Sequence, residues 1–433
     1  MSKDQQGLTL AGSPQSAEAF DRAVADYFGL TGDPVGVLKQ ALANDPDFIL
    51  GAVAVAGLFM IGGFRGDHPE VTAALAAAES AFRGASSRER MHLAAVRAWS
   101  EGRSPEAARA WEAILTDWPT DALALRFGQD AYLFLGQSLS IRDSVARVLP
   151  AWDPDNPLTS FVLGAYAFGL EESGELGPAE DAGREALARN PSDAWATHAV
   201  AHVMETAGRR EEGIVFLRKT RADWSPARFM AGHNGWHLAL FLIEEGRLKD
   251  VLSDYDRFTA RRLADDMTLD RIDAASLLWR LELAGADVGD RWGPVAQAWM
   301  AHVDDHVLAF NDLHCALAAA RSPNREDLGR FRRSLDEYER HGSGHNRLVT
   351  AEVGLRFIDG VLAYAAGDWG RAIDAILPVR FETFRIGGSH AQRDIINRTL
   401  ISAAERAGDR PLVKTLLDER SPRSAEARKG RLN

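Results

Sequence analysis

Two stretches of this chain carry side chains whose types and spacing suit chemistry: His198-Ala-Val-Ala-His202 and His233-Asn-Gly-Trp-His237. Each sets two imidazoles four residues apart, on one face of an α-helix. The second pair trails the first by 35 residues. His302 and His306 repeat the spacing, and His341 and His345 do so in a glycine-rich stretch. The chain has 12 histidines; scattered at random, they would give roughly 0.3 such pairs. Imidazoles turned to a common face suit a metal, a proton transfer or an anion. In an ideal helix Glu205 falls with His198 and His202 inside an arc of roughly 60°, so three ligands or proton carriers share one stripe. His302, His306, Asp305 and Asp312 would span roughly 120°.

Helices must position these groups, and the rest of the chain reads as helix. Alanine is abundant, glycine and proline fall mostly between apolar periodic stretches, and no alternating strand pattern is evident. Gly102, Gly136, Gly174, Gly208, Gly246 and Gly285 stand 34 to 39 residues apart. A period near 34 built of two helices and a turn is the tetratricopeptide signature. Small residues at Ala107, Ala179, Gly213 and Ala372 let the two helices of a hairpin approach, and prolines such as Pro119 and Pro191 close units. Each hairpin buries one stripe alone, so stacking makes the core. The expectation is an all-α, tetratricopeptide-like α-solenoid. It would run as one continuous superhelix of about ten or eleven hairpins over residues 16–418, with a flexible start at 1–15 and a basic tail at 419–433. Residues 250–347 are irregular, with insertions or longer turns at Arg257–Asp273 and Ser322–Asp327. The coarser alternative is a split near residue 250.

Composition bounds the partners. A net charge of −12 argues against nucleic acid and anionic membranes. The apolar stretch Ile49–Phe64 is too short and glycine-rich to span a bilayer and reads as a buried helix. Met1–Gln15 lacks the apolar core of a signal peptide, so a cytoplasmic setting is expected. The single cysteine, Cys315, excludes an intramolecular disulfide and a multi-cysteine zinc site, and reads as core packing. No phosphate-binding glycine loop, nucleophile elbow or dinucleotide fingerprint is present.

Three stretches, Asp193-Ala-Trp-Ala-Thr-His-Ala-Val-Ala-His-Val-Met-Glu205, Gly232-His-Asn-Gly-Trp-His-Leu-Ala-Leu240 and Gly388-Ser-His-Ala-Gln-Arg-Asp394, resemble the tetratricopeptide repeat protein 38 family. Ala309-Phe-Asn-Asp-Leu-His314 is also similar. The resemblance runs from about Ala19 to Arg410. It implies the fold and a cytoplasmic setting, and no defined reaction.

In repeats of this kind the positions of His198, His202 and Glu205 line the concave groove, as do those of His92, Arg126 and Asp130. His237 is expected beside His198 on the neighbouring helix, with His233 a turn earlier; Asp312 and His390 join if the chain curls far enough. Three readings compete. In the first, His198, His202, Glu205 and His237 hold a divalent metal such as zinc, iron or manganese; there is no His-Glu-x-x-His with its built-in base. In the second, His198, His202, His233, His237, Asp312 and His390 work as general acids and bases without a metal. Trp195, Trp236, Asn234, Arg126, Asp130 and Arg393 then hold a small polar or anionic substrate for hydrolysis or elimination. In the third, the histidines only bond neighbouring helices together. Fold type alone favours an interaction scaffold that takes a peptide or protein partner in the groove, while the mix of histidines, acids and tryptophans favours a small-molecule ligand or substrate. Trp279, Trp292, Trp299 and Trp369 are expected to pack between hairpins.

Overall fold

The computed structural model describes residues 1–420; the basic tail expected at 419–433 lies outside them apart from its first residues. Among the described residues the chain is all-α apart from one small hairpin. The recurring helical hairpins are seen in Ser87–Ser100 with Ser104–Asp117, Thr159–Glu172 with Leu176–Arg189, and Leu355–Ala365 with Trp369–Ile376. Gly102, Gly136, Gly174, Gly208, Gly246, Gly285, Gly367 and Gly408 all have positive φ, between 66° and 87°. They end the first helix of a pair in the left-handed conformation that only glycine adopts freely. Ala107, Ala179 and Ala372 are fully buried, and a Cβ on Gly213 would meet the Phe241 ring at 2.4 Å.

The described chain divides into two compact units. The first comprises Met1–Val200, Thr220–Ala231 and Ser343–His345; the second comprises Ala201–Lys219, Gly232–Gly342 and Asn346 onward. The division falls inside helix Ala194–Thr206. Within the first unit, Trp99, Trp111 and Phe127 meet edge to face at 5.2 to 6.3 Å. Within the second, Trp236, Phe241, Trp279, Phe331 and Phe357 are fully buried. Trp292 and Trp299 are buried as well, and Trp299 Nε1 donates to the Arg271 carbonyl.

The start of the chain differs from the flexible lead expected. Ser2–Lys3 pairs antiparallel with Thr9–Leu10, two residues a side, too short to show as an alternating pattern. Leu10 is wholly buried. Arg88 reaches Asp4 Oδ2 at 3.1 Å and Asp121 Oδ2 at 2.6 Å, and His92 Nε2 lies 2.9 Å from the same Asp121 oxygen. His92 thus serves a buried ion network. Cys315 is buried, and burial pushes its thiol well above the usual range, as suits inert packing. Among the described residues no helix is long and apolar enough to cross a membrane.

Candidate functional site

Helix Ala194–Thr206 begins at Asp193, whose Oδ1 accepts from the backbone N–H groups of Trp195 at 3.0 Å and Ala196 at 2.8 Å. That cap starts the helix in the phase that puts His198 and His202 on one face. Both rings are buried. His198 belongs to the first unit, with the rings of Phe168 at 5.4 Å and Trp195 at 5.0 Å. His202 and Glu205 belong to the second.

In the second unit the histidines gather. The His202 ring centroid lies 4.5 Å from that of His237 and 5.3 Å from that of His390. A His202 ring nitrogen lies within 4.8 Å of a ring nitrogen of each neighbour. His237 lies on helix Arg228–Glu244, with His233 one turn earlier at 5.0 Å between rings. His390 opens helix His390–Ala407, behind a capping box in which Ser389 and Gln392 exchange side-chain and backbone bonds. Its Nε2 is 2.9 Å from Thr206 Oγ1.

Two of the imidazoles are oriented by carboxylates. Glu205 Oε2 lies 3.0 Å from His237 Nδ1. Both oxygens of Asp273 lie 3.0 Å from His233 Nδ1. A carboxylate accepts only, so each of these Nδ1 atoms carries a proton. Burial first, and then the neighbouring His202, His233, His390 and Arg280, hold His237 well below its ordinary pKa, so its ring is neutral. Trp236 stacks flat on His233 at 5.1 Å and 8°. On its other neighbour the Arg280 guanidinium lies 5.5 Å from the Trp236 ring. Arg280 is buried, donates to the Ala391 carbonyl at 2.7 Å, and burial lowers its pKa to about 10. Asn234 is fully buried on the same helix as His233. The cluster reaches solvent at Glu205, whose side chain is 24% exposed, and at the half-buried His390. Oriented imidazoles with one partly open edge can move protons or ligate a metal.

The remaining expected residues are each described by their partners within their own unit. Arg126, Asp130 and Trp195 gather in the first unit: Arg126 Nη2 lies 3.3 Å from Asp130 Oδ1, its guanidinium sits 4.5 Å from the Trp195 ring, and Tyr27 donates to Asp130. Asp193, buried nearby, has its pKa raised to about 7 by burial. Asp312 is taken by His306, at 3.0 Å from Nδ1. Arg393 turns back to the Gly388 carbonyl. Glu205 sits on His237 Nδ1, where it orients that ring. The expected helical pair at His302 and His306 is corrected: helix Trp292–Met300 ends before it, and His306 has φ 45°. His302 instead bridges Asp305 at 2.8 Å and Asp266 at 3.0 Å.

Sequence reasoning missed Asp273, Arg280 and Thr206. The first two lie on helix Thr268–Leu283, where Asp270, Arg271, Asp273 and Arg280 are buried among apolar residues. Charges inside so apolar a helix were the signal, obscured by treating Arg257–Asp273 as an insertion.

No family model matches the chain. Among solved structures, it is similar to the crystal structure of a tetratricopeptide repeat protein from Parabacteroides merdae. The TM-score is 0.34 at 12% identity, covering 69% of this chain and 100% of that one.

Proposed function

We propose that the histidine cluster of the second unit is a chemical site that acts on a small polar molecule, by proton transfer in a hydrolysis or an elimination. One observation carries this reading: His233 and His237 each present Nδ1 to a carboxylate, so two neighbouring imidazoles are held in one orientation. The same pairing holds a turn at His302 and His306; here the two oriented rings stand 5.0 Å apart, with His202 4.5 Å from His237, so oriented proton carriers adjoin one another. In this proposal His202, His233, His237 and His390 handle protons, Asp273 and Glu205 orient, and Trp236 and Asn234 wall the substrate. Asp312, engaged by His306, supports the nearby turn. Membership of the tetratricopeptide repeat protein 38 family, and the cytoplasmic setting that goes with it, belong to the same proposal and rest on the motifs around these histidines.

The test is a thermal-shift screen of small esters, amides and hydroxy acids, with turnover followed by NMR, on the wild type and His202→Ala. The expected result is a ligand that raises the wild-type melting temperature and is turned over, with both effects lost in the variant and helical content kept. A variant that melts early yet retains ligand binding and turnover would count against the proposal. If no small molecule acts and His202→Ala instead weakens capture of a peptide, the chain is an interaction scaffold and the chemical reading falls.

A further inference from the structure

We propose that the first unit carries a ligand site of its own, in which Arg126 and Trp195 hold the carboxylate of a small organic acid with an apolar tail. The site lies wholly within that unit and does not depend on the chemistry assigned to the histidines of the second.

Its centre is a guanidinium that the fold buries and leaves with one uncommitted edge. Arg126, on helix Ala122–Leu135, is buried. Its Cζ stands 4.5 Å from the Trp195 ring centre and 5.4 Å from that of Tyr27, so aromatic rings hold the cation in place. Nη2 reaches Asp130 Oδ1 at 3.3 Å, long for a charged pair, and Tyr27 donates to the other oxygen of the same carboxylate. Nε is buried and has no hydrogen-bond partner. An edge of a guanidinium that includes Nε can meet a carboxylate in two parallel bonds. Tyr27, Arg126, Asp130 and Trp195 all belong to the first unit.

Two further buried atoms of this unit lack partners. Trp195 Nε1, on the ring that Arg126 faces, is one, and it can only donate. Asp193 Oδ2 is the other. Asp193 Oδ1 takes the two backbone N–H groups that start the helix, while Oδ2 faces Gly164, where a Cβ would stand 3.0 Å away. Buried polar atoms are nearly always paired, and each exception asks for a reason. Two unpaired donors ask for an acceptor. Asp130 already balances much of the charge of Arg126, so an acid bound here needs a further neutral or donating neighbour. Asp193 is suited to that role: it acts electrostatically on Arg126, and burial raises its pKa to about 7, which favours the protonated form beside an anion.

The apolar tail follows from the walls. Trp195 and Leu30 pack against Ala194, Trp224, Ala227 and Met230, and the Phe168 ring meets Trp195 at 5.1 Å. Leu30 ends helix Pro14–Gly29 with φ 55°, a left-handed conformation uncommon for any residue but glycine. Leu30 and Trp195 are half-buried and mark the side from which a ligand enters.

The experiment titrates the full chain by calorimetry with benzoate and hexanoate, using benzamide and hexylamine as uncharged and cationic controls. One equivalent of each carboxylate should bind, and the controls should not. Arg126→Lys keeps the charge but loses the planar edge, and should weaken binding about 10- to 100-fold. Trp195→Phe keeps an aromatic ring at a half-buried position and removes one donor, and should weaken binding about tenfold. If Arg126→Lys does not fold, Trp195→Phe decides. His202→Ala, in the second unit, should bind both acids as the wild type does. Absence of carboxylate binding, equal binding of benzamide, or binding unchanged in Trp195→Phe would overturn the proposal. The two readings fail separately. If the acids bind as expected but no ester, amide or hydroxy acid is turned over, the acid site stands and the chemical reading of the histidines falls. If carboxylate binding is lost in His202→Ala and kept in Trp195→Phe, the acids bind through the histidines and this site is excluded.

Discussion

At the scale of single residues, the cluster is defined less by its histidines than by what holds them. The histidines were legible because a spacing of four recurs, and recurrence needs no structure to see. Their orienting carboxylates were not, because Glu205 reaches a helix 32 residues away in sequence and Asp273 one 40 residues away, pairings that no local pattern encodes. Asp193 offers a separate test. Burial raises its pKa to about 7, above the ordinary value near 3.8. The folded chain therefore holds this proton more tightly than the unfolded chain does. The stabilisation is full below pH of about 4 and is lost as pH rises through about 7. Asp193→Asn keeps a carbonyl to cap helix Ala194–Thr206 and cannot ionise. Urea unfolding between about pH 4 and pH 7 should show the wild type losing more stability than the variant. Parallel profiles would sink the assignment.

At the scale of elements, glycine does two different jobs, and substitutions separate them. Gly213 is a close-approach residue inside helix Arg210–Lys219. Alanine there gains about 1 kcal/mol of helix propensity, but its Cβ would stand 2.4 Å from the Phe241 ring. Overpacking typically costs about 1–3 kcal/mol, so Gly213→Ala should be destabilising in denaturant melts. Gly246 has φ 69° and open space around it. There, Gly246→Ala should cost about 1–2 kcal/mol from backbone conformation alone, and Gly246→Asn should recover part of it. Equal effects of alanine and asparagine would contradict the left-handed turn. The turn at His302 and His306 is a third case. A bond from Asp305 raises the pKa of His302, with Asp266 adding to it and Arg271 opposing. For His306 burial works downward, but Asp312, Asp304 and Asp305 outweigh it and the net shift is upward. The protonated rings are thus the ones the fold holds. Their contribution is complete below about pH 6.5 and disappears as pH rises through the higher folded values. Amide exchange across residues 301–308, corrected for its intrinsic pH dependence, should lose protection between about pH 6 and 8. Constant protection would rule the linkage out.

At the scale of the whole molecule, the repeat was readable and its division was not. The glycine period marks places where the backbone must turn left-handed, a requirement stated by residue type alone. The boundary between units falls at Val200 and Ala201, in the middle of a capped and continuous helix. Boundaries are read from linkers rich in proline, glycine and polar residues, and an apolar helix offers none of these. The first residues were misjudged for a similar reason: a polar start resembles a loose end unless its partner is known, and the partner of Asp4 is Arg88. That network makes the last prediction. Arg88 is buried and shared between Asp4 and Asp121, and burial, the largest influence on Asp4, raises its pKa against the pull of Arg88. Asp4→Ala removes one acceptor and leaves a buried guanidinium short of a partner, at about 1–3 kcal/mol. Removing residues 2–12 should cost more, because the wholly buried Leu10 leaves the core and Glu89 loses the Ala11 N–H that reaches it at 2.7 Å. Hydrogen exchange should then show lost protection in helices Ser87–Ser100 and Ala122–Leu135, which carry Arg88 and follow the cap at Asp121. If the truncated chain protects those helices as the wild type does, the first residues are an ornament on the fold, and the ion network at Arg88 is held by Asp121 and His92 alone.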